Sequence, residues 1–210
     1  MEVNNKRQII FLRGGDIFNS QEDYYDFIKN RPYNPHNKFK SWRDWVEWAF
    51  SDQFDMLTPK MPCKENGDYV AWKIWFEKLF PYLFDEEPII IAQSAGGSFI
   101  LKYLSENIFP KNISQLHLVS PMTSSKDMKG EGLGNFVFPF DKLKNLDKQA
   151  RVIHVYHSED DPSVPFSHSL EILHYLPKAI FHKFTNRGHF NQPAFPELLQ
   201  IINDELAREG

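Results

Sequence analysis

Ser94 lies in the stretch Ala92-Gln93-Ser94-Ala95-Gly96-Gly97, between an apolar run and a helix-like run. A serine at such a junction occupies a sharp turn, which lifts its hydroxyl above the end of the strand, and small residues on either side let strand and helix pass closely. The N–H of Ala95 would then point at the oxyanion that develops during acyl transfer. These residues predict a nucleophile at Ser94. The alternative interpretation is a plain N-cap serine at the start of a helix.

A serine nucleophile needs a base, and the base is in turn oriented by an acid. A carboxylate-rich segment, Ser158 to Pro165, follows one apolar run, and His189 follows the next apolar run. The order serine, acid, histidine is the order of strand–turn–helix hydrolases. We therefore predict an acid in this segment, with Asp160 and Asp161 as the candidates, and His189 as the base. Taken alone, each could be an ordinary loop residue.

Short apolar runs alternate with helix-like stretches along the chain. The predicted strands are residues 8–13, 55–62, 88–93, 114–121, 151–157 and 179–185, and the predicted helices are residues 67–83, 94–109, 166–176 and 192–209. This alternation predicts an α/β protein with a mostly parallel central sheet and helices on both faces. The three candidate catalytic residues then follow the carboxyl ends of predicted strands, where parallel sheets place their sites.

Two segments interrupt the alternation within a predicted single domain of residues 1–210. Residues 18–53 form an aromatic-rich, lid-like insertion after the first strand, and residues 122–147 form a Gly- and Lys-rich excursion that we expect to be flexible. In the insertion, the spacing by three places Trp42, Trp45 and Trp48 on one helical face. They would line a substrate pocket over the serine, pack the helix onto the domain, or form a surface that docks a partner.

Composition excludes several classes of protein. The 210 residues carry a net charge of −4, without the basic excess of a nucleic-acid-binding surface. The longest apolar runs have four or five residues, far short of a membrane span, and the first residues do not resemble a signal peptide. One cysteine excludes an internal disulfide and a multi-cysteine metal site. We expect a soluble, cytoplasmic protein with neither nucleic-acid nor membrane partners.

The chain resembles the α/β-hydrolases, and more narrowly the small serine hydrolases related to retinoblastoma-binding protein nine and bacterial YdeN. The likeness covers most of residues 55–208 and is carried by IIIAQSAGGSFILKYL, SEDDPSVP, HKFTNRGHFNQPAFPELL and MPCKENGDYVAWKIWFEKL. It implies Ser94 as nucleophile, Asp161 as acid and His189 as base. It also implies a small ester, thioester or amide as substrate. Acyl transfer by these three residues requires no metal or organic cofactor.

This chain departs from the common pattern of that fold family at two positions. Ala92 stands where the pattern has Gly, and Arg13 stands where many members have His. The second oxyanion N–H should come from the loop after the first strand, so Gly15 and Asp16 are the candidates, although the two glycines there could form a plain turn. The alternative to a hydrolase is a protein- or ligand-binding module on the same scaffold with incidental turnover, which leaves a protein partner open.

Overall fold

The computed structural model describes residues 6–36, 41–128 and 130–209. Residues 1–5 and 210 of the predicted domain, 37–40 of the predicted insertion and 129 of the predicted excursion lie outside the described residues. Across the described ranges, no helix is both long enough and apolar enough to cross a membrane.

Six strands of the described chain form one sheet. The strands are β1 (Arg7–Leu12), β2 (Phe54–Leu57), β3 (Ile89–Gln93), β4 (Ile113–Val119), β5 (Ala150–Ser158) and β6 (Ile180–Phe184). Their order is β2-β1-β3-β4-β5-β6, and every neighbouring pair is parallel, so the prediction of a parallel sheet is confirmed. The central strands β3 and β4 are buried along their whole length, as expected of continuous apolar runs covered on both faces.

Helices cover both faces of the sheet. The helices are α1 (Gln21–Asn30), α2 (Trp42–Phe50), α3 (Tyr69–Glu77), α4 (Ala95–Glu106), α5 (Ser167–Tyr175) and α6 (Pro196–Glu209). Alternation along β1 sends Ile10 and Leu12 into a core shared with α3, α4 and α5, and sends Ile9 and Phe11 into a core shared with α2 and α6. The carboxyl ends of the strands lie at one edge of the sheet, between these two helix layers.

Prolines shorten two predicted elements. The helix predicted over 67–83 ends at Glu77, and a 3₁₀ turn containing Pro81 follows it. The strand predicted over 55–62 ends at Leu57, two residues before Pro59. Proline lacks the N–H that would extend a helix or a strand ladder, which explains both early ends.

The insertion after β1 contains α1 and α2. Helix α1 has no buried residue, although the ring of Phe27 contacts that of Phe18 at 5.1 Å. Helix α2 is firmly seated, because Trp42, Val46 and Phe50 are buried in the core that contains α6. The insertion thus joins a loosely packed helix to an anchored one.

The excursion over 122–147 is packed against the domain in its second half. This half forms 3₁₀ helices at Gly134–Phe136 and Phe140–Lys148, and Phe136 and Leu143 are fully buried. The ring of Phe136 meets that of Trp72 edge to face at 5.2 Å. Its apolar side chains thus complete the core over α3 and α4, and flexibility of the excursion stays a prediction.

Candidate active site

Ser94 forms the one-residue turn between β3 and α4. Its backbone has φ 51° and ψ −123°, a conformation that costs a non-glycine residue about 1–3 kcal/mol. Its N–H donates to Val119 O at 2.9 Å, and its carbonyl accepts from Ser98 N at 3.1 Å. Both backbone groups are thus held by neighbouring elements, which fixes the strained turn.

Close backbone approach explains the small residues around this turn. A Cβ on Gly96 would lie 2.4 Å from Leu12 O, and a Cβ on Gly97 would lie 2.8 Å from Pro121 Cβ. Helix α4 therefore begins against the end of β1 and the loop after β4, where no larger side chain fits. Ala92 is fully buried at the preceding position, so this chain accommodates the methyl group there.

His189 and Asp161 form a hydrogen-bonded pair at the same edge of the sheet. Asp161 follows β5, His189 follows β6, and His189 Nδ1 lies 2.8 Å from Asp161 Oδ2. Burial alone would raise the pKa of Asp161, but hydrogen bonds from His157, His189 and the Val164 N–H hold it well below its usual range. The ionised carboxylate accepts the Nδ1 proton, which leaves Nε2 of His189 able to take a proton.

Asp160 has a different set of partners. Its Oδ1 accepts from Gly188 N at 2.9 Å and from the Ser158 hydroxyl, and the same hydroxyl oxygen accepts from Arg187 N at 3.0 Å. Asp160 thereby ties the loop after β5 to the loop that carries His189. The carboxylate paired with the histidine is Asp161.

Ser94 and His189 line one cavity of about 1610 Å³ at the carboxyl edge of the sheet. Gly14, Gly15 and Gln93 also line it. In the described residues no direct hydrogen bond joins Ser94 to His189. Such bonds are often long in unliganded sites and shorten when substrate binds. The structure thus brings the strained serine and the histidine–aspartate pair to the same space.

The candidate oxyanion donors differ in availability. Ala95 is the first residue of α4, so its N–H has no acceptor within the helix. Gly15 lines the cavity, and a Cβ there would lie only 2.3 Å from Lys64 O. The Asp16 N–H donates to Lys64 O at 2.7 Å. The prediction of Asp16 as a donor is therefore corrected, because its N–H is already engaged.

The prediction that the three tryptophans of α2 line the pocket is wrong. Trp42 is buried against Phe11 and Phe195, each at 5.4 Å between ring centroids, Trp45 packs beside the same core, and Trp48 is 75 % exposed. Successive steps of three residues rotate the side chain, so Trp42 and Trp48 point about 120° apart. They form neither a lid over Ser94 nor a contiguous aromatic patch. The cavity is lined instead by the polar side of α2, namely Arg43, Asp44 and Glu47.

His157 is a site residue that the sequence reasoning missed. It is the penultimate residue of β5, is fully buried, and has Nε2 3.4 Å from Asp161 Oδ2 and 3.0 Å from Val164 O. Its Nδ1 lies 2.6 Å from Ser169 Oγ. A histidine at the end of the strand, four residues before the acid, was the available signal.

Three further histidines form a cluster away from the cavity, under α6, with His117 and His154 buried and His182 half-buried. His154 Nδ1 contacts His182 Nε2 at 2.9 Å, and His117 stacks on His154 with ring centroids 4.8 Å apart. His117 Nδ1 also contacts the Tyr156 hydroxyl at 2.8 Å. Within the described ranges, no group of three or more His, Cys, Asp or Glu side chains is arranged to hold a metal ion.

We compared the chain with known protein families, sequences and structures. No family model matches the chain. Serine hydrolase RBBP9 from Rattus norvegicus is 29 % identical over 127 residues, which are 58 % of this chain and 63 % of that protein. The match thus spans less than two thirds of the relative's length.

Solved structures share the fold at low sequence identity. The ydeN gene product of B. subtilis has a TM-score of 0.73 and 18 % identity, covering 96 % of this chain and 100 % of that one. A meta-cleavage product hydrolase from Pseudomonas fluorescens has a TM-score of 0.67 and 12 % identity, covering 98 % and 92 %. With its open parallel sheet, the chain is therefore an α/β-hydrolase in fold that resembles serine hydrolase RBBP9 and YdeN.

Proposed function

We propose that this protein is a serine hydrolase that cleaves a small ester, thioester or amide through an acyl-enzyme. The observation that carries the proposal is the strained turn of Ser94, which borders the same cavity as the His189–Asp161 pair. The likeness to serine hydrolase RBBP9 supports the same reaction class.

In the first half of the reaction, Ser94 Oγ attacks the carbonyl carbon of the substrate, and Nε2 of His189 takes the hydroxyl proton. Asp161 keeps the Nδ1 proton in place and stabilises the imidazolium that forms. The carbonyl oxygen becomes an oxyanion, which accepts hydrogen bonds from the N–H groups of Ala95 and Gly15.

Collapse of the tetrahedral intermediate breaks the bond to the leaving group, which departs with the proton from His189. A water molecule then enters the site. His189 takes a proton from this water while the water oxygen attacks the acyl carbon. The second tetrahedral intermediate then collapses, which releases the carboxylic acid, and His189 returns the proton to Ser94 Oγ. The scheme uses only groups of this chain and water.

Hydrolysis of 4-nitrophenyl acetate and butyrate by the full-length protein tests the proposal. We expect turnover by the wild type, and a loss of at least about 10³-fold in kcat for Ser94→Ala and His189→Gln. Matched thermal melting of each variant shows that it remains folded. Equal turnover by the wild type and Ser94→Ala would contradict the proposal.

A further inference from the structure

Arg43 of α2 lines the active-site cavity and contacts the residue beside the candidate nucleophile. Its Nη1 donates to Gln93 Oε1 at 3.0 Å, and Gln93 directly precedes Ser94. A Cβ on Gly14 would lie 3.0 Å from Ser94 Cβ and 3.6 Å from Gln93 Oε1. The side-chain amide of Gln93, which accepts from Arg43, and the side chain of Ser94 therefore border the same small space next to Gly14.

Arg43 differs from the other arginines in the cavity, because the nearby Asp44 favours its charge through space without forming an ion pair with it in the described part of the chain. Arg13 pairs with two carboxylates of α2, at 3.1 and 2.7 Å, and Arg31 pairs with Asp16 at 3.2 Å. Among the described residues, no acidic side chain forms an ion pair with Arg43. A cation left in this state can bind an anion without first breaking an internal ion pair.

The hydrogen bonds of Arg43 go to neutral oxygens and leave donors free. Its Nε donates to Ser41 Oγ at 3.2 Å and its Nη1 to Gln93 Oε1, while Nη2 has no acceptor in the described part of the chain. The amide nitrogen of Gln93 likewise donates to no described residue. Two neighbouring side chains thus offer unused N–H groups at the cavity wall.

The surroundings of Arg43 make an additional negative charge favourable. Burial lowers the pKa of Arg43, and the positive charge of Arg13 lowers it further. A partly desolvated cation gains more from an anionic partner than an exposed one does. A planar guanidinium also matches the two oxygens of a carboxylate.

We propose that Arg43 and Gln93 form a carboxylate subsite beside Ser94, and that the preferred substrates carry a carboxylate near the scissile carbonyl, as in half-esters of short dicarboxylic acids. The substrate preference rests on the proposed hydrolase function, whereas binding of a free dicarboxylate does not. Asp23 and Glu131 also line the cavity and form no ion pair with another described residue, so a preference for cationic esters is the opposing expectation.

The first experiment measures kcat/KM for three 4-nitrophenyl esters: the anionic hemiglutarate, the neutral valerate and the cationic 4-(trimethylammonio)butyrate. We expect the wild type to prefer the anionic ester over the neutral one by about 10- to 100-fold, the range for a charge-assisted hydrogen bond. Arg43→Gln should lose this preference, and Arg43→Lys should keep part of it. Lys144→Gln is the matched control, because it removes an exposed positive charge on the 3₁₀ helix Phe140–Lys148, outside the cavity lining, and should keep the wild-type ratio.

The second experiment titrates glutarate into the same proteins by calorimetry, which needs no turnover. Glutarate should bind to the wild type and Lys144→Gln at least about tenfold more tightly than to Arg43→Gln. Ester turnover with no anionic preference, or with a cationic one, together with equal glutarate binding by all variants, would overturn the subsite but not the hydrolase. Arg43-dependent glutarate binding without ester turnover would support the subsite and contradict the hydrolase.

Discussion

His157 Nε2 lies 3.4 Å from Asp161 Oδ2, the same oxygen that contacts His189 Nδ1 at 2.8 Å. Because Val164 O, 3.0 Å from this nitrogen, can only accept a hydrogen bond, His157 Nε2 carries a proton and directs it toward the carboxylate as well. His157 is thus a positioning residue that holds Asp161 in place through its buried side.

We expect His157→Phe to lower kcat about tenfold with little change in KM, because it removes a hydrogen bond to the charged acid without altering the cavity wall. His157→Gln, whose amide can still donate, should recover part of the loss. Steady-state kinetics beside a thermal melt separates this role from loss of folding. A folded His157→Phe with wild-type kcat would show that the contact between His157 and Asp161 does not contribute to catalysis.

Asp161 and Asp160 should differ sharply when each is changed to Asn. Asp161→Asn removes the acceptor for His189 Nδ1–H and is expected to lower kcat by up to about 10⁴-fold. Asp160→Asn keeps an oxygen for the Gly188 N–H and should cost about tenfold or less. Kinetics of the two variants under identical conditions decides between the two acids. If Asp161→Asn turned over nearly as fast as the wild type, the assignment would be wrong.

Glu131 should influence how activity depends on pH. It lines the cavity together with His189, and burial and the nearby Asp16 raise the pKa of Glu131 to about 7. As pH rises past 7 its carboxyl ionises and adds a negative charge to the cavity. This charge disfavours the anionic hemiglutarate ester, so its kcat/KM relative to that of the neutral valerate should fall by about twofold or more between pH 6 and 8 in the wild type, and by less in Glu131→Gln.

The pH profile of this ratio in Glu131→Gln, the wild type and Glu22→Gln, an exposed control on α1, measures the effect. The pKa of Asp161 is held far below neutrality, so ionisation of Asp161 does not change between pH 5 and 8. Superimposable profiles for all three proteins would show that Glu131 adds no charge to the cavity over this range.

The histidine cluster under α6 should make stability depend on pH. Burial and the neighbouring His182 lower the pKa of His154 to about 4, and burial also lowers those of His117 and His182. Between about pH 6.5 and 4 the unfolded chain binds more protons than the folded one, so stability falls as pH falls.

Urea unfolding of the wild type and His154→Gln at pH 7.5 and 5.0 measures this effect. Comparing the two proteins cancels the contributions of the other titrating groups. Between pH 7.5 and 5.0, the free energy of unfolding of the wild type should fall by about 2 kcal/mol more than that of the variant. Equal losses in the two proteins would mean that His154 titrates normally in the folded state.

The elements that position the site could be predicted from local sequence. A continuous apolar run such as 88–93 is typical of a strand buried on both faces, and the small residues after it are typical of a tight turn. The same logic placed Asp161 and His189 at strand ends, where the structure pairs them.

The lining of the cavity could not be predicted in this way. Three tryptophans spaced by three suggested one aromatic face, but the helix seats Trp42 in the core and turns Arg43 toward the cavity. Which side of α2 faces the cavity depends on its packing against β1 and α6, a tertiary property. The hydrogen bond from Asp16 N–H to Lys64 O likewise joins distant parts of the chain.

Reaction with a fluorophosphonate, followed by intact mass spectrometry, tests the central claim most directly. An activated serine attacks the phosphorus of the reagent and displaces fluoride, so the account predicts one adduct on the wild type and none on Ser94→Ala. Folding of both proteins is checked by circular dichroism. An unmodified, folded wild type, or an equal adduct on Ser94→Ala, would contradict the assignment of Ser94 as an activated nucleophile.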